Sequence, residues 1–310
     1  MTTTLATALT EKRETIRSTI WQETAPADDP FNAEICRLRG YDVFGDLLGK
    51  ISWIEYLYLL FFDEAPNPQQ QKLLETIAIV LANPGPRDHG VQAAMNGAVG
   101  GSGSAACLMA ALAIGAGGLR GGHELLVAMK MWQECGCDFH LWQKQILTPD
   151  QEERADVWPE MEHTPGFDPH AEHCSLVVRQ ALDCMAEIGL SSSGQCALKW
   201  LREYRVPLES VAKAPLSLTG LVAAAFIDLD LKPEQAEMLY LLLRLPGAAA
   251  HAMEQRTFGW MNFPFWKKGL VLTNDPAAKI DSENMQQQEL ATEPALATDL
   301  IAKVAVDAKS

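Results

Sequence analysis

The sequence predicts an all-helical (all-α) fold, and three observations support this class. Helix-capping residues precede several apolar segments, apolar residues recur at the spacing of a helix face, and no run of alternating β-branched residues is long enough to seed a sheet. The chain has 310 residues with 48% hydrophobic content, which is enough to bury a sizeable core. At roughly 100–200 residues per domain, two domains are expected.

Two capping signals open the first predicted helices. Ser52 and Glu55 have the spacing of a capping box, in which each side chain bonds to the backbone N–H of the other residue. The apolar residues 56–62 that follow are typical of a buried helix. Asn67 is a good N-cap before Pro68, whose missing N–H costs nothing in a first helical turn.

Two later segments also have helical features. Lys232 and Pro233 open a helix, and residues 244–247, which include Pro246, are expected to close or kink it. Helical spacing also predicts an inward-facing stripe at Val177, Ala181, Cys184 and Ile188.

Residues 97–122 are rich in glycine and alanine. A dinucleotide-binding loop has similar glycines, but it needs a preceding strand and an acidic residue about 20 positions later, and the sequence shows neither. Small residues at this density also let helices approach one another closely. Close helix packing is therefore the favoured interpretation.

The charge and the apolar segments limit the partners. The formal net charge is −15 and no Lys/Arg run exceeds Lys267-Lys268, so the basic surface of a nucleic-acid-binding protein is not expected. The first residues lack the apolar region of a secretory signal. The most apolar window, residues 105–114, is far shorter than the roughly 18 residues that indicate a membrane span. Neither a nucleic acid nor a membrane is an expected partner.

The seven cysteines show no disulfide framework, which favours a reducing cytoplasm. Some of them, together with histidines, suggest a zinc site, but they lack the paired ligand spacing of such sites, so no metal is predicted. The residues concerned are Cys135, Cys137, His163, His170, His173 and Cys174.

Several segments, in the same order along the chain, resemble the citrate synthase and citryl-CoA lyase superfamily, and they span residues 35–256. They include a triplet typical of citryl-CoA lyase-like members, a glycine-rich junction and a late arginine segment. The matching segments are Arg39-Gly40-Tyr41-Asp42, Asp46-Leu47-Leu48-Gly49, the helix at 52–60, Glu64-Ala65-Pro66, Asp88-His89-Gly90, Gly118-Leu119-Arg120-Gly121-Gly122, Arg244-Leu245-Pro246-Gly247 and Ala250-His251-Ala252.

The resemblance implies a citrate synthase-like two-domain helical fold that forms a homodimer. Residues 1–121 and 236–275 would form a large domain, residues 122–235 a small domain, and residues 276–310 a loosely attached tail or an arm over the partner subunit. A cleft between the domains would close over an acyl-CoA and a short carboxylic or keto acid. The acyl-CoA is implied as a substrate, and no permanently bound cofactor is implied.

The proton-transfer residues of the resembled family are substituted. Its junction histidine is replaced by Arg120, and its base carboxylate by Thr219. The loop that carries its second histidine reads Pro-Gly-Phe-Asp-Pro-His at residues 165–170, and neither a gapped nor a gapless alignment retains that histidine. Loss of groups that act as a unit costs orders of magnitude in rate.

Three residues are predicted to bind substrate. His89 matches a keto-acid-contacting histidine of the family, and Arg244 matches an arginine that holds a substrate carboxylate. Arg120 cannot act as a base because its guanidinium stays protonated, but it can hold a carboxylate or a phosphate. The alternatives are a core histidine bonded to the backbone for His89 and a structural ion pair for Arg244.

Three other residues are candidates for a rebuilt catalytic centre. His123 follows the glycine junction together with Glu124, and Asp168 and His170 lie in the substituted loop. Each can supply an acid or a base, although most such side chains on helices are solvated or structural. Two functions from different classes follow. One is an acyl-CoA-dependent synthase or lyase with a rebuilt centre, and the other is a non-catalytic paralogue that binds CoA or a carboxylate, including as a regulatory subunit.

Overall fold

The computed structural model describes residues 17–148, 161–188 and 196–264. Helices dominate these ranges, which confirms the all-α class. The chain divides into two units, and nearly all described residues belong to the first, Met1–Phe263. The predicted tail at residues 276–310, with the end of the predicted large domain, lies outside the described residues. The predicted division into a large and a small domain stays a prediction.

The described helices begin after a short N-terminal sheet. In chain order they are α1 (Trp53–Phe61), α2 (Pro68–Ala82), α3 (His89–Val99), α4 (Ser104–Gly115), α5 (Gly122–Cys135), α6 (Phe139–Leu147), α7 (Leu176–Ile188), α8 (Ala197–Ala212), α9 (Leu218–Asp228) and α10 (Pro233–Phe258). A π-helical turn at Val43–Leu47 and a 3₁₀ turn at Trp260–Asn262 flank this series. Within the described ranges, none of the helices has the length and apolar character that crossing a bilayer requires.

A three-stranded antiparallel sheet precedes the helices, and the sequence did not predict it. Its strands are β1 (Trp21–Thr24), β2 (Ile35–Leu38) and β3 (Tyr41–Asp42), in the order β1-β2-β3. These strands are too short for alternation to be visible. Arg39 and Gly40 join β2 to β3 with φ of +50° and +91°, which is the positive-φ geometry of tight hairpin turns.

The capping signals are confirmed. Ser52 accepts a hydrogen bond from the Glu55 N–H at 3.2 Å, and the Glu55 carboxylate accepts the Ser52 N–H at 2.7 Å. Asn67 and Gln70 form the same reciprocal arrangement at the start of α2. The sequence thus encodes these helix starts locally, because each cap satisfies backbone donors that the first turn leaves unpaired.

The helix α10 does not close at residues 244–247, so that alternative was wrong. It continues for 26 residues through Pro246. Gly247 faces the end of α2, where a Cβ atom would lie 2.5 Å from the Ala82 carbonyl oxygen. Contacts along both halves of α10 hold it helical despite the hydrogen bond that proline cannot donate.

Two clusters form most of the core. The larger one draws on α1, α2 and α5 to α10, and a smaller one joins α3, α4 and the second half of α10. In α7 the predicted inward stripe is confirmed for Ala181 and Ile188, which are partly buried against the core, and was wrong for its other two residues. Val177 and Cys184 are exposed, whereas the buried side chains are those of Val178, Leu182, Met185 and Ala186.

The glycine-rich segment packs two helices closely, as predicted. A Cβ atom on Gly90 of α3 would lie 2.9 Å from the Ala111 carbonyl oxygen of α4. A Cβ atom on Gly97 would lie 3.3 Å from the Cys107 sulfur. Side chains of ordinary size would push these helices apart.

Candidate functional site

Three chain segments meet beside the N-terminal end of α5. They are the glycine junction at residues 117–124, the loop at residues 161–168, and residues 215–220 at the start of α9. These are the three places where the family resemblance positions the proton-transfer groups. The fold therefore brings the substituted positions into one neighbourhood.

The loop is fixed to the start of α9 by its backbone. The Asp168 N–H donates to the Pro215 carbonyl at 2.8 Å, and the Ser217 N–H donates to the Gly166 carbonyl at 3.0 Å. Gly166 and Gly220 touch, since a Cβ atom on Gly220 would lie 2.2 Å from the Gly166 carbonyl oxygen. Only glycine fits at this crossing, which sets the distance between the two segments.

A buried carboxylate joins the loop to the junction. The Glu124 residue is only 1% exposed, and its Oε1 accepts the Gly166 N–H at 2.9 Å while its Oε2 accepts the Arg120 N–H. The His163 Nε2 atom lies 3.7 Å from the same Oε1 and has no hydrogen-bond partner among the described residues. Burying a carboxylate is costly, and bonds from two N–H donors offset part of that cost.

The backbone of Arg120 is held in a conformation that is uncommon outside glycine. Its φ is +55°, and its carbonyl accepts hydrogen bonds from the Tyr240 hydroxyl and from Arg244 Nη1, both at 3.0 Å. Residues with positive φ persist where their surroundings determine them strongly, and they are frequent at functional sites. The backbone of Arg120, which replaces the junction histidine, is thus positioned by three side chains: Glu124 of α5, and Tyr240 and Arg244 of α10.

The Arg120 side chain reaches the loop. Its Nη2 atom lies 2.6 Å from Asp168 Oδ2, with 46% of the arginine side chain exposed and 15% of the aspartate. The other carboxylate oxygen of Asp168 accepts the His170 N–H at 3.1 Å. The pair is open to solvent on the arginine side, so an anionic ligand can reach the guanidinium.

Arg244 is engaged in the interior. Its Nη2 donates to Asp88 Oδ2, and the two side chains are 10% and 11% exposed. Its guanidinium carbon lies 4.8 Å from the centre of the Tyr240 ring. Asp88 also caps α3 by accepting the Val91 N–H at 3.1 Å. These contacts favour the structural ion pair for Arg244, and its role in substrate binding stays a prediction.

Tyr240 completes this network as a neutral hydroxyl. It lies in the protein interior, and burial raises the pKa of its hydroxyl group, so it keeps the proton that it donates to Arg120. The hydroxyl of Thr219 lies 3.5 Å from the Tyr240 hydroxyl. Thr219, at the position of the family's base carboxylate, is thus an uncharged residue. Its hydroxyl contacts Tyr240, the residue that donates to the Arg120 carbonyl.

The other candidate residues are placed differently. His123 is the second residue of α5 and is 5% exposed. His89 is the exposed first residue of α3, next to Asp88 in sequence. The His170 residue is also exposed, and its described link to the site is its backbone bond to Asp168.

Sequence reasoning missed the role of three residues. Tyr240 was not considered, although it precedes Arg244 by four residues and so lies on the same face of one helix. Asp88 was noted only as part of a motif. Its ion pair with Arg244 joins residues 156 positions apart, so the local sequence gives no signal of it. His163 was considered only as a metal ligand. Within the described ranges, no group of three or more histidine, cysteine or carboxylate side chains can hold a metal ion.

A cleft lies next to the Arg244–Asp88 pair, between α3, α4 and α10. Its cavity volume is about 20 Å³, which is room for about one water molecule. Eight of its ten lining residues carry no polar side-chain atom. The lining consists of Asp88, Gly90, Val91, Ala111, Leu112, Gly115, Leu241, Arg244, Leu245 and Ala248.

Comparison with known proteins gives matches at the level of structure. No protein-family model matches the chain, and no curated protein sequence matches it either. The fold is similar to that of citryl-CoA lyase from Hydrogenobacter thermophilus, with a TM-score of 0.65 and 17% identity, covering 87% of this chain and 99% of that one. The predicted resemblance is thereby confirmed as a shared citrate synthase-like fold.

Two further solved structures are ATP citrate lyases. The enzyme from Methanothrix soehngenii in complex with citrate and coenzyme A matches with a TM-score of 0.64, at 17% identity and 89% coverage of this chain. A mutant from Methanosaeta concilii in complex with (3S)-citryl-CoA matches with a TM-score of 0.62, at 16% identity and 91% coverage. This chain covers 45% of each of those longer chains.

Proposed function

We propose that this chain binds an acyl-CoA and a small carboxylic acid, and that it forms or cleaves a carbon–carbon bond between them as a citryl-CoA lyase-like enzyme with a rebuilt centre. The observation that carries the proposal is the Arg120–Asp168 pair, 2.6 Å apart, where the three substituted segments meet. The names of the structural neighbours, citryl-CoA lyase and ATP citrate lyase, support the same chemistry.

The reaction makes three demands on the site. In the cleavage direction a base takes the hydroxyl proton of the condensed acid, the carbon–carbon bond breaks, and a ketone forms. The bonding electrons pass into the thioester as an enolate, which then takes a proton at carbon. A base, a positive charge near the enolate oxygen and a proton donor are therefore needed.

The proposed centre meets these demands with charged groups already in place. Arg120 stays protonated, so it suits the developing negative charge on the thioester oxygen. Asp168 is the nearest described carboxylate to that guanidinium and acts as the base. His123, three residues after Arg120, and His170, two residues after Asp168, are the candidate proton donors. Arg244 and His89 remain candidates for binding the carboxylic acid.

The test combines binding with turnover. Calorimetric titration with CoA, acetyl-CoA and small di- and tricarboxylates measures binding, while thiol release from acetyl-CoA plus oxaloacetate and cleavage of citryl-CoA measure chemistry. Asp168→Asn is expected to keep binding and lose turnover, and Arg120→Gln to weaken both. Asp183→Asn and Arg179→Gln, at exposed positions on α7, are the matched controls. Equal turnover in Asp168→Asn and wild type would reject the proposed base.

A second function, a non-catalytic paralogue that binds CoA or a carboxylate, has one observation in its favour. Asp168 already pairs with the Arg120 guanidinium at 2.6 Å, and this contact competes with its action as a base. Binding without turnover in the same assays would support this function. Such a paralogue could also act as the regulatory subunit of an active relative. A homodimer in the cytoplasm stays a prediction, which the mass of the particle in solution and cell fractionation test.

A further inference from the structure

A histidine and a carboxylate lie side by side in the interior at the glycine junction, and the proposed reaction steps use neither of them. The Glu124 residue is 1% exposed, and 11% of the His163 side chain is exposed. His163 Nε2 lies 3.7 Å from Glu124 Oε1 and has no hydrogen-bond partner among the described residues. Buried polar atoms are nearly always paired, so an exception such as this nitrogen calls for an explanation, and a catalytic role is one of the few available.

The two residues are held against the junction from both sides. Glu124 Oε2 accepts the Arg120 N–H while its Oε1 faces His163, so a single carboxylate joins the histidine to the backbone of Arg120. The start of the loop also covers the junction, because a Cβ atom on Gly118 would lie 3.4 Å from the Met161 Cγ atom. The fold thus places the His163 ring next to the residue that replaces the junction histidine.

The neighbourhood of Arg120 is where the proposed reaction needs a proton donor. Arg120 is assigned to the enolate oxygen, and the carbon that takes the proton is only two bonds from that oxygen. The donor must therefore lie close to the residue that carries this guanidinium. His170 is exposed, and its described link to the centre is a backbone bond to Asp168. His163 is linked to Arg120 through a carboxylate whose own hydrogen bonds fix its position.

The carboxylate also determines which ring nitrogen of His163 carries the proton when the ring is neutral. An ionised carboxylate accepts hydrogen bonds and cannot donate them, so the nitrogen that faces Glu124 Oε1 favours its N–H form and the opposite nitrogen, Nδ1, keeps a lone pair. The separation of 3.7 Å exceeds the usual hydrogen-bond length of about 2.7–3.2 Å, but catalytic hydrogen bonds are often long until the substrate binds. The aspartate of a Ser-His-Asp triad selects the tautomer of its histidine in the same way.

We infer that His163, oriented by Glu124, is the catalytic residue that transfers the proton at the acyl carbon, and that its Nδ1 atom carries that proton. This inference rests on the proposed function, which supplies the enolate. In the cleavage direction the Nδ1–H bond of protonated His163 breaks, and the proton forms a C–H bond with the electron pair of the enolate carbon. A neutral ring protonated on Nε2 remains, and water returns a proton to Nδ1. In the reverse direction neutral Nδ1 removes the proton from that carbon. Glu124 keeps its charge throughout and acts as a positioning residue.

The first test measures the exchange of solvent deuterium into the acyl carbon of bound propionyl-CoA by mass spectrometry. His163→Ala is expected to lower the exchange rate about 10²–10⁴-fold, the usual contribution of an acid–base group, while calorimetry shows that propionyl-CoA still binds. Added imidazole is expected to restore part of the rate, which a merely structural role of the ring does not predict. His140→Ala, which removes an exposed histidine of α6, is the matched control and keeps the wild-type rate.

A second measurement needs no thioester. In nitrogen-15 spectra of protein labelled in histidine, the His163 ring signals are those that His163→Ala lacks. The neutral ring is expected to carry its proton on Nε2 in wild type and to lose this preference in Glu124→Gln. Thermal unfolding and near-ultraviolet circular dichroism show whether each variant is folded. The wild-type tautomer tests the pair by itself if Glu124→Gln does not fold.

The outcomes separate this inference from the proposed function. Undiminished exchange in His163→Ala, a loss that imidazole does not rescue, or a neutral wild-type ring protonated on Nδ1 would overturn the role of His163, while exchange in wild type would uphold the proposed function. Exchange lost in His123→Ala and retained in His163→Ala would overturn it as well and assign the transfer to His123. No exchange in wild type with the thioester bound at saturation would reject the proposed function and the proton transfer together.

Discussion

Replacement of Glu124 by glutamine tests the buried carboxylate that joins the junction to the loop. The two oxygens of Glu124 accept one N–H each, from Gly166 at 2.9 Å and from Arg120. In Glu124→Gln one oxygen becomes an NH₂ group, which faces an N–H donor with no acceptor between them. The variant loses one charge-assisted hydrogen bond and leaves a buried donor unsatisfied, so we expect a loss of ~2–4 kcal/mol in the free energy of unfolding.

Urea unfolding and thermal melting measure this loss. For a domain of this size, ~2–4 °C per kcal/mol corresponds to a fall in Tm on the order of 5–15 °C. Glu134→Gln, at an exposed position on the same helix, is the control and is expected to stay within about 0.5 kcal/mol of wild type. Amide exchange of Gly166 and Arg120 should accelerate only in Glu124→Gln. A loss below ~1 kcal/mol, or equal effects of the two variants, would refute the assigned hydrogen bonds.

Three other predictions test the surroundings of the site. Removal of either partner of the buried Asp88–Arg244 pair, by Asp88→Asn or Arg244→Gln, should lower the free energy of unfolding in urea by ~3–5 kcal/mol. The double variant should lose clearly less than the sum of the two single losses, and additive losses would contradict the pairing. Gly220→Ala should destabilise the protein by at least ~1–3 kcal/mol because its Cβ would lie 2.2 Å from a carbonyl oxygen, whereas Gly115→Ala meets no atom; equal Tm values would contradict that contact. Burial raises the pKa of the Cys135 thiol from 9.0 to about 11, so the thiol ionises at a lower pH in the unfolded chain than in the folded protein. The free energy of unfolding should therefore fall as the pH rises from 9 to 11, and it should fall less steeply in Cys135→Ala. Identical slopes for the variant and wild type would contradict the burial of this thiol.

The helix starts could be predicted because their causes are local. The Ser52–Glu55 box lies within four residues, and the structure forms it as the sequence indicates. The continuation of α10 through Pro246 could not, because packing against other helices, and not the local propensity of proline, decides it. The N-terminal strands were missed since two to four residues are too few to show alternation.

The candidate site was predictable only in part. Arg120 and Asp168 were both selected from substituted motifs, but their contact across 48 positions is a property of the fold. The buried role of Glu124 likewise depends on Gly166, which is 42 residues away. The sequence also did not indicate that His170 is exposed and His123 is buried, because the packing of neighbouring elements determines the exposure of each side chain. Residue chemistry could thus be read locally, whereas its geometry required the tertiary structure.

Exchange of solvent deuterium into the acyl group of a bound thioester tests the proposed chemistry most directly. Enolate formation at the Arg120–Asp168 pair predicts that wild type incorporates deuterium at the carbon next to the thioester carbonyl, as measured by mass spectrometry of propionyl-CoA. Arg120→Gln, which removes the charge that stabilises the enolate oxygen, should lose this exchange, and Arg179→Gln should keep it. No incorporation above the solvent blank, with the thioester bound at saturation, would contradict a catalytic centre at this pair.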